Sequence, residues 1–250
     1  LRHVKDAVGN ANYTEDIDNQ SDDNYTYDAI GNLIKDSAEK ITNIEWSVYG
    51  KILSINKTAT LAGDVSKISY TYDAAGNRIS KIVEKLGQAD KYTTYVRDAS
   101  GNTMAVYNYE GNNINSNTLY LAEQHLYGSS RLGIWNRNID MDVPLVTAGV
   151  ANLLGPTFSS SFERGNKFFE LSNHLQNVLV TVSDKKIGVD NNTDGVIDYY
   201  NADVVTANDY YVFGMTMPGR KFTQGNGKYR FGYNGYENDN EVKGEGNSVD

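Results

Sequence analysis

The sequence predicts an all-β protein in which stacked antiparallel β-hairpins form one curved sheet. Three observations support this fold class. A short turn motif recurs along the first half of the chain, and the residues on either side of it alternate between apolar and polar. The composition also fits, with 19 Tyr, 23 Gly and only 3 Pro in 250 residues. Tyrosine favours strands and glycine favours tight turns, so this balance indicates hairpins.

The turn motif has the sequence Asp-x-x-Gly-Asn and occurs four times. A degenerate fifth copy, Trp46–Lys51, lies between the second and third. The glycines of the five copies are 22, 19, 26 and 25 residues apart. Near-even spacing of this kind is the signature of a repeat protein. The four regular copies are Asp6–Asn10, Asp28–Asn32, Asp73–Asn77 and Asp98–Asn102.

Each copy is predicted to close a hairpin. Before the turn, the alternation in Tyr70-Thr71-Tyr72 places both tyrosines on one face of a strand. An aspartate at the first turn position can accept hydrogen bonds from backbone N–H groups two residues on. A glycine three residues later tolerates positive φ and forms a bulge into the return strand. One hairpin is unstable alone, whereas stacked hairpins extend a common sheet and bury its aromatic face.

The string Tyr-x-Tyr-Asp-x-x-Gly-Asn resembles the YD repeat of Rhs proteins, insecticidal toxin complexes and teneurins. The likeness continues downstream into motifs of the Rhs repeat-associated core of bacterial, Bacteroidetes-like members. Asn173 and Gln176 stand in place of the usual Asp and Gly, so the 173–177 turn is expected to be looser. In a separate motif, Val212 stands in place of the usual Pro. The matching segments are Leu126–Gly133, Phe169–Leu179, Tyr210–Met215, Tyr229–Gly235 and Asp239–Gly244.

The resemblance divides the chain into two parts. Residues 1–118 are predicted to hold about five YD-repeat hairpins, and residues 119–250 the repeat-associated core. An irregular insertion near 141–165 is expected inside the core, because Pro144, Gly149, Gly155 and Pro156 interrupt the strand pattern.

The family's sheets spiral into a hollow shell, so the resemblance implies that this chain is a section of such a wall. The implied function is non-enzymatic: a structural module of a secreted or cell-surface protein that encloses a C-terminal effector. Flanking shell repeats and a C-terminal toxin of the same parent protein are the expected partners, and secretion machinery is a further candidate. The self-cleaving segment of the family is expected beyond Asp250. The alternative function is cell-surface adhesion, with binding of a surface glycan or another ligand on the outer face of the sheet.

One loop carries a pattern of possible metal ligands. In Asp190–Asp198, oxygen-bearing side chains stand at positions 1, 3, 5 and 9 and Gly195 stands at position 6. This spacing matches an EF-hand-type calcium loop. Position 12, normally a glutamate, is Asn201, which weakens the match. The alternative is a solvated acidic hairpin loop. The predicted ligands are Asp190, Asn192, Asp194, the carbonyl of Val196, and Asp198.

Other chemistry has little support in the sequence. His3, His125 and His174 are scattered without metal-ligand spacing, and no nucleophile or phosphate-binding motif occurs. The net charge of −9 argues against binding to nucleic acid, which requires basic patches. No apolar run approaches the ~18 residues that suggest a membrane span. Calcium is therefore the only cofactor the sequence suggests.

Overall fold

The computed structural model describes residues 1–7, 19–110, 118–141, 163–225 and 229–244. These residues form one 14-stranded antiparallel sheet in which the strand order follows the chain order from β1 to β14. A short helix, α1 (Asn240–Lys243), follows the last strand. The predicted all-β class of stacked hairpins is confirmed. The strands are Tyr25–Tyr27, Leu33–Asp36, Ile41–Trp46, Ile52–Lys57, Val65–Tyr72, Arg78–Lys85, Lys91–Arg97, Thr103–Glu110, Thr118–Tyr127, Arg131–Asp140, Lys167–Ser172, Val178–Val189, Tyr199–Tyr210 and Thr216–Thr223.

The Asp-x-x-Gly-Asn motif closes the hairpins in the predicted way. In the 73–77 turn, Oδ1 of Asp73 accepts the N–H groups of Ala75 and Asn77, at 2.9 and 2.8 Å. Gly76 takes a φ of +82°, and the ladder shifts register beside the turn, as a bulge requires. These hydrogen bonds lower the pKa of Asp73, first through the Asn77 side chain and then through the Asn77 backbone.

The asparagine of the motif also has a structural role. Its Nδ2 donates to Oδ2 of the turn aspartate at 2.9 Å in each of the three regular copies that the structure describes. The first copy, Asp6–Asn10, lies partly outside the described residues, and four hairpins are described before residue 111. The insertion predicted near 141–165 also lies almost wholly outside them.

The 173–177 turn keeps the same closure despite its substitutions. Oδ1 of Asn173 accepts the N–H groups of Leu175 and Asn177, both at 3.0 Å. Gln176 takes the glycine position with a φ of +64°. The backbone closure is therefore kept, while the Asn177 side chain accepts a hydrogen bond from the N–H group of Asn234 at 2.8 Å, and the looser turn stays a prediction. An asparagine oxygen accepts the same backbone hydrogen bonds as a carboxylate, and the remaining cost is the positive φ of Gln176.

The hydrophobic core lies on one face of the sheet, beneath residues 229–244, which we call the C-terminal segment. Val242 packs in a cluster of buried residues from β3 to β6, with Ile41, Ile55 and Ile68 among them. Tyr229 and Phe231 pack in a second cluster, with Ile134 of β10 and Val178 of β12. Full burial of each such side chain contributes about 1.5–3 kcal/mol. The C-terminal segment therefore covers hairpins that are distant from one another in the sheet.

Candidate functional site

The main candidate site is the contact between the C-terminal segment and the face of the sheet that it covers. Three groups of charged side chains meet there, and each joins the segment to different strands. Isolated charges are costly to bury, so buried charges occur in pairs or networks. Each group is described in turn.

The first group surrounds Asp239. Arg78 of β6 donates to both carboxylate oxygens of Asp239, at 3.2 and 3.0 Å, and the ammonium of Lys81 donates at 2.9 Å. The three side chains are only 4–6% exposed. Lys81 also reaches Glu241 at 2.8 Å, and the Tyr70 hydroxyl donates to Asp239 at 3.1 Å. Asp239 therefore contacts two buried cations, and Glu241 shares one of them, Lys81.

The pKa shifts in the first group follow from this geometry. Burial alone would raise the pKa of Asp239, but the charges of Lys81 and Arg78 outweigh it and hold that pKa below its ordinary value. Burial, followed by the nearby Asp239 carboxylate, raises the pKa of Tyr70 far above its ordinary value. Tyr70 therefore remains a hydrogen-bond donor, and Asp239 remains an ionised acceptor, throughout the neutral range.

The second group surrounds Arg230. Its Nη1 donates to Glu237 at 2.7 Å, and its Nη2 and Nε reach Glu123 of β9 at about 3.1 Å. The Tyr95 hydroxyl of β7 donates to Glu237 at 3.0 Å. Burial would raise the pKa of Glu123, but Arg230 holds it below its ordinary value. His125 lies 3.7 Å from Glu123 and packs edge-on against Phe231 of the segment.

The third group joins β10 to β11 beneath the segment. Nε of Arg131 donates to Glu170 at 2.7 Å, and the Tyr229 hydroxyl donates to the same Glu170 oxygen at 2.7 Å. Nη2 of Arg131 donates to the carbonyl of Gly235 at 3.0 Å, and its guanidinium lies 3.6 Å from the centre of the Phe231 ring. Together the three groups fasten the C-terminal segment to strands from β5 to β11.

The sequence interpretation did not identify these residues. Arg78, Glu123 and Glu170 occupy strand positions that the local sequence does not distinguish from surface positions. Of the histidines, His125 is buried against the segment, and His174 lies in the exposed 173–177 turn.

The Asp190–Asp198 loop lies between β12 and β13. Its acidic side chains accept backbone hydrogen bonds: Asp190 from Asp194 and Gly195, at 3.3 and 2.8 Å, and Asp198 from Asn191 at 2.8 Å. Gly195 makes the sharp turn with a φ of +87°. No group of three or more His, Cys, Asp or Glu side chains in the described part of the chain is arranged to hold a metal ion. Calcium binding by this loop stays a prediction.

Calcium is expected to raise the melting temperature of the chain if the loop binds it. A ligand at about 100 times its Kd adds about 2.7 kcal/mol. For a chain of this size that corresponds to roughly 5–10 °C. The measurement is a thermal melt in chelator against a calcium titration, with Asp190→Asn expected to abolish the shift. Asp209→Asn, which removes an exposed carboxylate outside the loop, is the control. Identical melts with and without calcium would remove the site.

Comparison with known proteins reveals a shared fold. No family model and no curated protein matches the chain. The crystal structure of TcdB2-TccC3-Cdc42 matches with 12% sequence identity and a TM-score of 0.50, over 80% of this chain and 8% of that one. The crystal structure of TcdB2-TccC3 matches with 11% identity and a TM-score of 0.49, over 81% of this chain and 8% of that one. The chain therefore spans a small part of the proteins it resembles, and at this identity the first match shows the fold alone.

Proposed function

We propose that this chain is a wall section of an Rhs-type shell that encloses a C-terminal effector of its parent protein. The observation that carries the proposal is a single sheet, in strict sequence order, whose covered face is fastened by the C-terminal segment. A continuous sheet of this kind is a barrier, and its contribution is steric. The resemblance of the turn motifs to YD repeats supports the same function, and so does the shared fold with part of TcdB2-TccC3-Cdc42.

The ends of the sheet suit a section of a longer wall. Among the described residues, β14 pairs only with β13, so its other side is available to a further strand. Strand edges left open in this way promote pairing with other strands. We infer that flanking shell repeats of the parent protein continue the sheet here. A secreted or cell-surface location, with export by a secretion system, is part of the same proposal. No helix among the residues that the structure describes is long and apolar enough to cross a membrane.

Protease protection of the effector in the full-length parent protein tests this function. The wild-type wall is expected to shield the region beyond the C-terminal segment from a non-specific protease. The Asp239→Ala variant, which unfastens the segment from β6, is expected to expose that region. The Asp209→Ala variant, which breaks only an exposed ion pair with Arg220, is the control and is expected to remain protected. Equal and rapid digestion of the effector region in all three proteins would overturn the proposal.

A further inference from the structure

A groove of about 710 Å³ opens on the rim of the sheet that carries the Asp-x-x-Gly-Asn turns. Three hairpin turns and the C-terminal segment form its walls. The 98–102 turn joins β7 to β8, the 128–130 turn joins β9 to β10, and the 173–177 turn joins β11 to β12; Gly235 belongs to the segment. The volume lies within the range of about 300–1,000 Å³ that is usual for small-molecule sites.

The groove forms where the regular contact between neighbouring turns is interrupted. Farther back along the rim, the Asn77 side chain lies close to Gly101, with its nearest atom 2.9 Å from where a Cβ would stand. Likewise, a Cβ atom added at Gly76 would stand 3.6 Å from the Lys51 side chain. The next turn after 98–102 lacks the motif and consists of Gly128, Ser129 and Ser130. These small residues leave open the space that a longer turn with larger side chains would fill.

The charged side chains at the floor of the groove are held in place by hydrogen bonds to one another and to the C-terminal segment. Glu170 lines it, and its side chain is only 6% exposed. The bonds from Arg131 and Tyr229 both fall on Oε1 of this carboxylate. Arg131 is held in turn by Gly235 and by the Phe231 ring. A ligand that reaches Oε2 of Glu170 would therefore meet an acceptor that is already fixed in place, and little side-chain entropy would be lost on binding.

The chemistry of the lining identifies the class of ligand. The hydroxyls of Ser129 and Ser130 and the amide of Gln176 can each donate and accept hydrogen bonds. Met104 and Tyr127 add apolar surface. An anion is disfavoured, because Arg131 is already paired with Glu170 and because Asp98 adds a second carboxylate. A neutral ligand that carries hydroxyl groups on a ring with apolar faces would match this lining.

We propose that this groove binds a short neutral oligosaccharide. The site is distinct from the wall function and does not depend on it. It also lies on the rim of turns, whereas the adhesion hypothesis drawn from the sequence places a glycan on the outer face of the sheet. The groove residues are held by hydrogen bonds within the fold, so the site exists in the isolated chain.

Binding of defined sugars to the 250-residue chain tests the proposal. The probes are maltotriose, cellotriose and tri-N-acetylchitotriose, each titrated to about 10 mM and followed by isothermal titration calorimetry and ligand-observed NMR. At least one is expected to bind with a Kd of about 1 mM or tighter. Ser129→Arg, which fills the groove from an exposed turn, is expected to weaken binding at least tenfold. Ala75→Arg places the same side chain on the exposed 73–77 turn, which does not line the groove, and should leave the Kd unchanged.

Several results would overturn the proposal. One is the absence of binding by all three sugars to the wild-type chain. Another is an equal affinity of the wild-type and Ser129→Arg chains for the sugar that binds. A third is a peptide or an anion that displaces the sugar with higher affinity, which would assign the groove to another class of ligand. Unchanged melting temperatures of the two arginine variants show that neither substitution acts by unfolding the chain.

Discussion

The Asp239→Ala variant is expected to be about 3–5 kcal/mol less stable than the wild-type chain, because it removes the carboxylate that the buried Arg78 contacts and one of the two carboxylates that Lys81 contacts. Arg78 and Lys81 are only 4% and 5% exposed, so both cations have lost most of their contact with water and depend on carboxylate partners. For a chain of this length, each kcal/mol lowers the melting temperature by about 2–4 °C, which gives a fall of roughly 6–20 °C. Denaturant unfolding and a thermal melt measure the change.

Two further variants separate this mechanism from a general loss of charge. Asp209→Ala removes a carboxylate whose partner, Arg220, is 67% exposed, and it is expected to cost less than about 1 kcal/mol. Replacement of Asp239, Arg78 and Lys81 together by apolar residues of similar size is expected to recover most of the stability, since the carboxylate that loses its partner, Glu241, is 31% exposed and can be solvated. If Asp239→Ala and Asp209→Ala had equal effects, Asp239 would not hold the segment in the way described.

The hairpins could be predicted from the sequence because the turn motif is local. All the hydrogen bonds that the Asp73 side chain accepts come from residues within four positions of it. The five residues 73–77 are therefore sufficient to determine the turn. The strand pairings then follow from neighbouring hairpins. The backbone closure of the 173–177 turn has an equally local cause, since Asn173 supplies the oxygen that the turn requires.

The C-terminal segment could not be placed from the sequence because its contacts are distant. Lys81 and Asp239 are 158 positions apart, and Glu123 and Arg230 are 107 apart. One signal was available: the alternation Ile79-x-Lys81-x-Val83 places Lys81 on an apolar strand face, where a cation requires a carboxylate. That signal indicates a buried ion pair but does not name the partner. The rim groove also could not be predicted from the sequence, because three separate turns and the C-terminal segment form it together.

The ligand pattern of the Asp190–Asp198 loop fits two different structures. The spacing of Asp190, Asn192 and Asp194 suits a bound cation, yet the same oxygens also accept backbone N–H groups of the loop. An acidic loop that is ordered by its own backbone and one that is ordered by an ion therefore share one sequence pattern. A thermal melt with calcium present distinguishes the two.

The junction between β10 and β11 is the narrowest point in the second half of the sheet. It contains three residue pairs, from Gly133 opposite Phe169 to Trp135 opposite Lys167, whereas β11 and β12 share five. At Gly133 the two backbones come so close that a Cβ would stand 1.9 Å from the carbonyl oxygen of Phe168. Because that oxygen belongs to the backbone of the neighbouring strand, no side-chain rotation can relieve the clash.

Gly133→Ala is therefore expected to cost at least about 3 kcal/mol, at or above the upper end of the range for overpacking. The damage should concentrate at this junction, so hydrogen exchange is expected to accelerate most for amides of β10 and β11, with the β5–β6 hairpin least affected. Gly219→Ala is the matched control: Gly219 has a φ of +70° and no atom within 4 Å of the added methyl group, so it bears the conformational cost alone, about 1–2 kcal/mol. Equal losses of stability in the two variants would show that β10 and β11 can separate without harm. In that case the Arg131–Glu170 pair and the C-terminal segment, rather than the strand ladder, would hold the two parts of the sheet together.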